Sequence, residues 1–252
     1  MYDWPEIRAE TDAQWRVLRA AFAAHGIAAP ERLSRDIDPM ALWRAPRLVL
    51  AQCCGLPYVR FLRESVVLLG APDYAVPGCP PGYYCSAIVV RAEDPRERLG
   101  AFRGARPAVN DTGSQSGWAA LMYRLAMEGR AAGFLAAPVM TGAHRASARA
   151  VAEGRADLAA LDYVSWRLAL RFEPAAARLR VLTLTEPTPG LPMIAASGTA
   201  PARYRAILGE VLENLPRHLR EALGIHGFCP FGPEDYAPIA RRWQALAQAS
   251  RA

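Results

Sequence analysis

The stretch Val109-Asn110-Asp111-Thr112-Gly113-Ser114-Gln115-Ser116-Gly117-Trp118 decides how this chain is read. The apolar segment Arg106 to Val109 ends there in small polar residues, and an amphipathic pattern over Ser116 to Met127 follows. Such a pattern predicts a buried strand that turns into a helix through hydroxyls and glycines. The first N–H groups of a helix lack intrahelical acceptors, and the helix dipole adds positive potential around them. One polar side chain suffices to cap such a start. Here Asp111, Thr112, Ser114 and Ser116 gather with two glycines, and the segment reads as a seat for a small anion. No lysine follows the second glycine, so the motif is not a nucleotide-hydrolysing P-loop.

Outward from this point the alternation is regular. Strands are predicted over Gly133 to Ala137, Asp157 to Leu161 and Leu179 to Leu184, with helices over Ala143 to Glu153 and Tyr163 to Arg171 between them. Upstream, Thr11-Asp12-Ala13-Gln14 has the form of a capping box. Trp15, Leu18, Ala21 and Phe22 then share one helical face up to about His25. Arg47 to Gln52, Val66 to Gly70 and Ser86 to Arg91 read as strands, with a short helix near Cys53 to Tyr58 and a Pro/Gly-rich loop from Pro77 to Gly82. Downstream, Met193 to Ala196 is extended, and helices are expected over Pro201 to Asn214, Pro216 to Leu223 and Pro233 to Ala249. Strands alternating with helices imply βαβ units and a parallel sheet.

Ligands of open α/β sheets lie beyond the carboxyl ends of strands. The residues expected there are Gln52 to Tyr58, Asn110 to Ser116, Thr141 to His144, and Asp162 with Tyr163. Thr141-Gly142-Ala143-His144-Arg145-Ala146-Ser147 opens a second helix with a threonine, a glycine and a first-turn histidine. A histidine at a helix N-terminus is disfavoured as imidazolium, so a neutral ring is expected, and a charged ligand would reverse that bias. Asp162 either accepts from a ligand amine or hydroxyl or caps the helix that follows. Tyr2, Tyr58, Tyr83 and Tyr84 are candidate phenol donors, against the commoner role of tyrosine in packing. Cys53 and Cys54 sit at a strand end, but none of the four histidines lies near them in sequence, which argues against a Cys–His nucleophile.

Composition narrows the classes further. The 252 residues suffice for one large domain or two small lobes. Net charge is +6, carried by scattered arginines with no run of five like charges, so a small anionic partner fits better than nucleic acid. No apolar span reaches 18 residues, so no membrane insertion is expected. Met1-Tyr2-Asp3-Trp4-Pro5-Glu6 has neither the basic nor the apolar region of a signal peptide, which points to the cytoplasm for the chain as written. The cysteines number five, with no C-x-x-C pair, so a zinc site is not expected. Cys79 and Cys85, six apart across a Pro-Pro-Gly turn, are compatible with free thiols or with a disulfide. No catalytic residue, metal or cofactor is predicted.

Four segments together resemble a known family: Gly82 to Val90, Asn110 to Gly117, Thr141 to Ser147, and Val151 to Asp162. They are similar to the PhnD-like phosphonate- and phosphate-binding proteins of ABC importers, a branch of the type 2 periplasmic binding proteins. The resemblance runs from about Tyr2 to Pro192, with Thr185 to Pro192 similar to the family's return crossover. It implies an α/β, two-lobed fold, each lobe a mainly parallel sheet flanked by helices, joined by two crossover strands. The first lobe would be residues 1–86 with 187–252, the second 87–186. It also implies a ligand held between the lobes. Ser114, Gln115, Ser116 and Gly117 would hold its oxygens, and Thr141 and His144 would add donors. Tyr84 would reach in from the hinge side, Asp162 would sit near a ligand amine, and Tyr58 would come from the first lobe.

Function would then be hinge closure around a small oxyanion for an ABC permease, by a monomeric periplasmic protein without a cofactor. Three departures are visible. The family begins with a strand, usually after a secretion signal, before the position of Tyr2. Its second acidic ligand contact has no match here, and Cys53-Cys54 replaces small residues. The alternatives are a cytoplasmic enzyme on the same fold, similar to menaquinone-pathway lyases with Asp162 or His144 as base, and a ligand-sensing domain.

Overall fold

Ala87-Ile88-Val89-Val90 and Leu158-Ala159-Ala160-Leu161 are apolar without alternation, as strands covered on both faces must be. In the computed structural model, which describes residues 2–130 and 133–249, they lie side by side and are fully buried. They centre a five-stranded sheet in the order Val139–Met140, Pro107–Val109, Leu158–Asp162, Ser86–Arg91, Leu179–Leu184. Ile88, Val90 and Leu158 meet Leu99, Phe102, Leu121 and Leu125 in one apolar cluster, so the helix Ala120–Met127 covers that face. The helices His144–Ala152 and Tyr163–Phe172 also pack against these strands.

Pairing in this sheet is mixed, where a mainly parallel sheet was expected. Pro107–Val109 is parallel to both Val139–Met140 and Leu158–Asp162, because intervening helices return the chain in the same sense. Ser86–Arg91 is antiparallel to both of its neighbours. It follows directly on the crossing at Tyr83–Tyr84 and owes no direction to a preceding βαβ unit.

The chain forms two units. One runs to Tyr83 and resumes over Pro189–Ala237; the other comprises Tyr84–Thr188 and resumes at Pro238. The last helix, Ala237–Ala249, therefore belongs mostly to the second unit. There Arg242 donates to the Pro187 carbonyl at 3.3 Å and lies 4.7 Å from the Tyr123 ring centroid. The sheet of the first unit has the order Ala51–Gln52, Met193–Ala196, Val66–Asp73, Gly227–Cys229, and every pairing in it is antiparallel. Helices Arg8–Ala24, Pro201–Glu213 and Arg217–Leu223 pack together beside it, with Phe22 and Tyr204 in ring contact at 5.1 Å. Gly70 has φ +141°, and a Cβ there would stand 2.2 Å from the Cys229 carbonyl, so this close strand approach needs glycine.

Several elements differ from expectation for local reasons. The first helix begins at Arg8, led in by a 3-10 turn at Pro5–Ile7. Thr11 is thus inside it, its hydroxyl within hydrogen-bond reach of Asp3 and of the Ile7 and Arg8 carbonyls rather than capping. Arg47 to Gln52 is strand only over Ala51–Gln52. No strand forms over Gly133 to Ala137. Phe134 instead bends into the apolar cluster, its carbonyl accepting from Gly104, and the strand follows at Val139–Met140. Gly227–Cys229 pairs as an unforeseen edge strand. Among the described residues no helix is long and apolar enough to cross a membrane.

Phe102 is fully buried, with the Arg96 guanidinium 3.8 Å from its ring centroid. Phe102→Ala is expected to lower stability by roughly 3–5 kcal/mol, measured as a shift of the urea midpoint at constant slope.

Candidate functional site

The turn between Val109 and the next helix is built by its own polar groups. Asp111 Oδ1 accepts from the Gly113 N–H at 2.6 Å, and the Ser114 N–H donates to the Asp111 carbonyl at 3.0 Å. Ser114 is extended, with φ −75° and ψ 132°, and its Oγ accepts from the Gly117 N–H at 3.0 Å. That is the geometry of an N-cap. The helix opens with a π-turn, Gln115–Ala119, before settling into regular α-helix at Ala120. Such wide turns recur at functional sites. Ser114, Gln115 and Ser116 are all buried.

Gly117 is required by space. A Cβ there would stand 1.7 Å from Asn110 Oδ1 and 3.3 Å from His144 Cε1. Asn110, the last residue before the turn, thus packs directly on the glycine. Ser86 holds the turn from the central strand, its Oγ donating to the Ser116 carbonyl at 3.0 Å.

The second helix start is joined to the first. The Thr141 N–H donates to the Val109 carbonyl at 2.9 Å, and the Thr141 hydroxyl donates to the same carbonyl at 3.1 Å. The two loops therefore leave the sheet together. Thr141 Oγ1 is also 2.6 Å from Ser147 Oγ, in the first helical turn. His144 opens this helix, and its Nε2 is 2.9 Å from Ser116 Oγ. Its Nδ1 is buried and has no partner among the described residues. Burial lowers the His144 pKa from 6.5 to about 4, so the ring is neutral at pH 7.

The arginines of the His144 helix have partners of their own. Arg145 donates to Glu173 Oε2 and to the Phe172 carbonyl, and Arg149 donates to the same Glu173 oxygen. Burial works to raise the Glu173 pKa, but the hydrogen bonds from Arg149 and Arg145 and from the Ala175 N–H outweigh it and hold the carboxyl below its usual range. The candidate seat therefore consists of hydroxyls, helix-start amides and a neutral imidazole. Such a set can hold an oxyanion by hydrogen bonding. A nucleophilic role for Ser116 would need a third group to orient the ring, and Nδ1 has none among the described residues.

The remaining predicted residues have visible structural work. Asp162 is buried, and its Oδ1 accepts from the Val164 and Ser165 N–H groups at 2.9 and 3.0 Å, the cap role. Tyr84 is buried at the crossing, one residue before Cys85, whose carbonyl accepts from the Tyr163 N–H. Tyr58 lies in the other unit, 1% exposed, edge-on to Tyr236 at 5.3 Å, and burial pushes its phenol up to about 12. Its ring is spent on core packing there. Among the described residues no group of three His, Cys, Asp or Glu side chains is placed to hold a metal. Asn110, Ser86 and Ser147 lie in the segments quoted from the sequence, but none was given a role of its own there. A polar residue at each end of an apolar strand is a faint signal, and only the fold brings Ser86 to Ser116.

The model of the family described as ABC transporter, phosphonate, periplasmic substrate-binding protein matches residues 42–236. The chain belongs to this family. Curated protein sequences include no match to it. Among solved structures it is similar to PhnD1 from Prochlorococcus marinus in complex with methylphosphonate, with a TM-score of 0.73 and 16% identity over 96% of this chain and 94% of that one. It is also similar to XAC2383 from Xanthomonas citri bound to chloride, at 0.70 and 19% over 98% and 95%. A third is the periplasmic aliphatic sulphonate binding protein SsuA from Escherichia coli, at 0.66 and 18% over 95% and 84%. At these identities the structures establish the two-lobed α/β fold. Phosphonate-family substrate-binding proteins are the small-ligand receptors of ABC importers, and the polar helix starts lie inside the matched residues.

Gly117→Ala is expected to cost roughly 1–3 kcal/mol, because Asn110 has to leave its place. Urea unfolding measures it, and a neutral result would mean that the Asn110–Gly117 contact does not shape the turn.

Proposed function

We propose that this protein binds a small phosphonate- or phosphate-like oxyanion at the paired helix starts of its second unit and presents it to an ABC permease. The observation that carries the reading is the Ser116–His144 hydrogen bond, which joins two helix N-termini into one polar seat. In this reading Ser114, Gln115, Ser116 and Gly117 hold the oxygens through hydroxyl and amide groups, and Thr141 and His144 complete the second side. Tyr84 borders the seat at the crossing, and Asp162 fixes the neighbouring helix. The crossings at Tyr83–Tyr84 and Thr188–Pro189 act as the hinge, and the protein works as a monomer in the periplasm.

Family membership supports a transported small ligand. The methylphosphonate of the Prochlorococcus relative supports the choice of oxyanion. A seat of amides and hydroxyls fits release, since hydrogen bonds from neutral dipoles hold an anion without a fixed counter-charge. No step in this reading makes or breaks a covalent bond.

A thermal-shift series with methylphosphonate, phosphate, methanesulfonate and a dicarboxylate tests it. Methylphosphonate or phosphate is expected to raise Tm, by an amount corresponding to about 2.7 kcal/mol at a hundred times Kd, and Ser116→Ala is expected to remove the shift. A flat response to every anion would refute the reading.

A further inference from the structure

His144 meets Ser116 through one ring nitrogen. Nε2 stands 2.9 Å from Ser116 Oγ, while Nδ1 is buried with no hydrogen-bond partner among the described residues. A neutral ring carries its proton on either nitrogen, and the two choices give Ser116 opposite roles. With the proton on Nδ1, Nε2 accepts, and the Ser116 hydroxyl spends its one proton on the ring. With the proton on Nε2, the ring donates to Ser116 Oγ, and the Ser116 proton stays unspent.

Burial decides between them. An N–H donor shut inside a protein without an acceptor is rare, and a bare acceptor lone pair in the same place is the milder defect. A proton on Nδ1 is therefore the costlier arrangement. The imidazolium carries that same proton and adds a buried charge. The Nε2–H tautomer places the ring's one proton where an acceptor stands ready.

Ser114 is set in the same sense by the backbone. Its Oγ accepts from the Gly117 N–H at 3.0 Å, so its own proton is also left over. Both serines are buried at one helix start. The turn thus holds two hydroxyl oxygens that already accept from protein donors. Their protons are what they have left to give, and a deprotonated oxyanion oxygen is a pure acceptor.

We propose that His144 is a positioning residue for the ligand: as the Nε2–H tautomer it donates to Ser116 Oγ and so makes the Ser116 hydroxyl a donor toward the oxyanion. This rests on the seat being an oxyanion site. The ring acts through Ser116 and keeps its own proton, so one tautomer serves the empty and the occupied seat. The contact it prepares selects a bare oxygen. A ligand hydroxyl at the same point would meet a second donor instead of an acceptor.

The test uses the full chain with His25, His218 and His226, all exposed, replaced by Gln, so that His144 is the remaining histidine. With 15N-labelled histidine at pH 7, the ring is expected to carry its proton on Nε2 and none on Nδ1, both without ligand and with saturating methylphosphonate. A proton on Nδ1 in either state, while backbone amides report binding, overturns the positioning role and leaves the oxyanion function standing. In the same background His144→Gln, whose amide can still donate to Ser116, is expected to bind methylphosphonate roughly tenfold or more tightly than His144→Leu. Equal affinities of the two variants overturn the role as well. No change in any amide with methylphosphonate, phosphate or methanesulfonate overturns the oxyanion reading and the role of His144 together.

Discussion

The hydrogen bond between Ser116 Oγ and His144 Nε2 is the constraint on which the rest of the site depends. It links two helix starts that follow neighbouring parallel strands, Pro107–Val109 and Val139–Met140. A helix can begin beyond the end of a strand only if the loop satisfies its own backbone. Asp111, Ser114 and Thr141 do this within their loops, which leaves Ser116 and His144 to meet. Gly117 lets Asn110 pack beneath the turn, and Ser86 ties the turn to the centre of the sheet. Each of these residues has a local task, and their joint result is a polar seat held by secondary structure rather than by a long loop.

Electrostatics divides into two tasks. The chain carries a net charge of +6. The two arginines on the His144 helix share Glu173 as their acceptor, and Arg16, Arg19, Arg32 and Arg35 line a groove of about 650 Å³ in the first unit, beside Asp12 and Glu31. Dispersed positive charge raises the encounter rate with anions over long range. In the proposed reading, holding the anion falls to amides and hydroxyls, whose orientation is fixed in advance. This separation suits a receptor that must give its ligand up.

The strand Ser86–Arg91 was legible in the sequence because its apolar run Ala87 to Val90 is uninterrupted, and Leu179–Leu184 because apolar residues recur around Arg180 and Thr183. The two polar helix starts were legible because hydroxyls and glycines exceed what caps need. Three features were not. Sheet direction at Ser86–Arg91 depends on where the chain enters the second unit, which no local pattern records. Phe134 and Leu135 are as apolar as a strand, but the Gly104 and Ala105 backbone holds their segment in a bend. The third is the packing of Tyr58 against Tyr236, which only the fold brings together, whereas the cap role of Asp162 was one of its two readings from sequence. The roles of Asn110 and Ser86 were not legible because their partners, Gly117 and Ser116, are brought to them by the fold.

The central claim is that the anion sits on the joined helix starts of the second unit. A crystal structure of the protein with methylphosphonate measures this most directly. The account predicts phosphonate oxygens within hydrogen-bond distance of the Ser114 to Gly117 turn and of the Ser116–His144 pair. Phosphonate bound instead in the arginine-lined groove of the first unit, with the helix starts unoccupied, would contradict it.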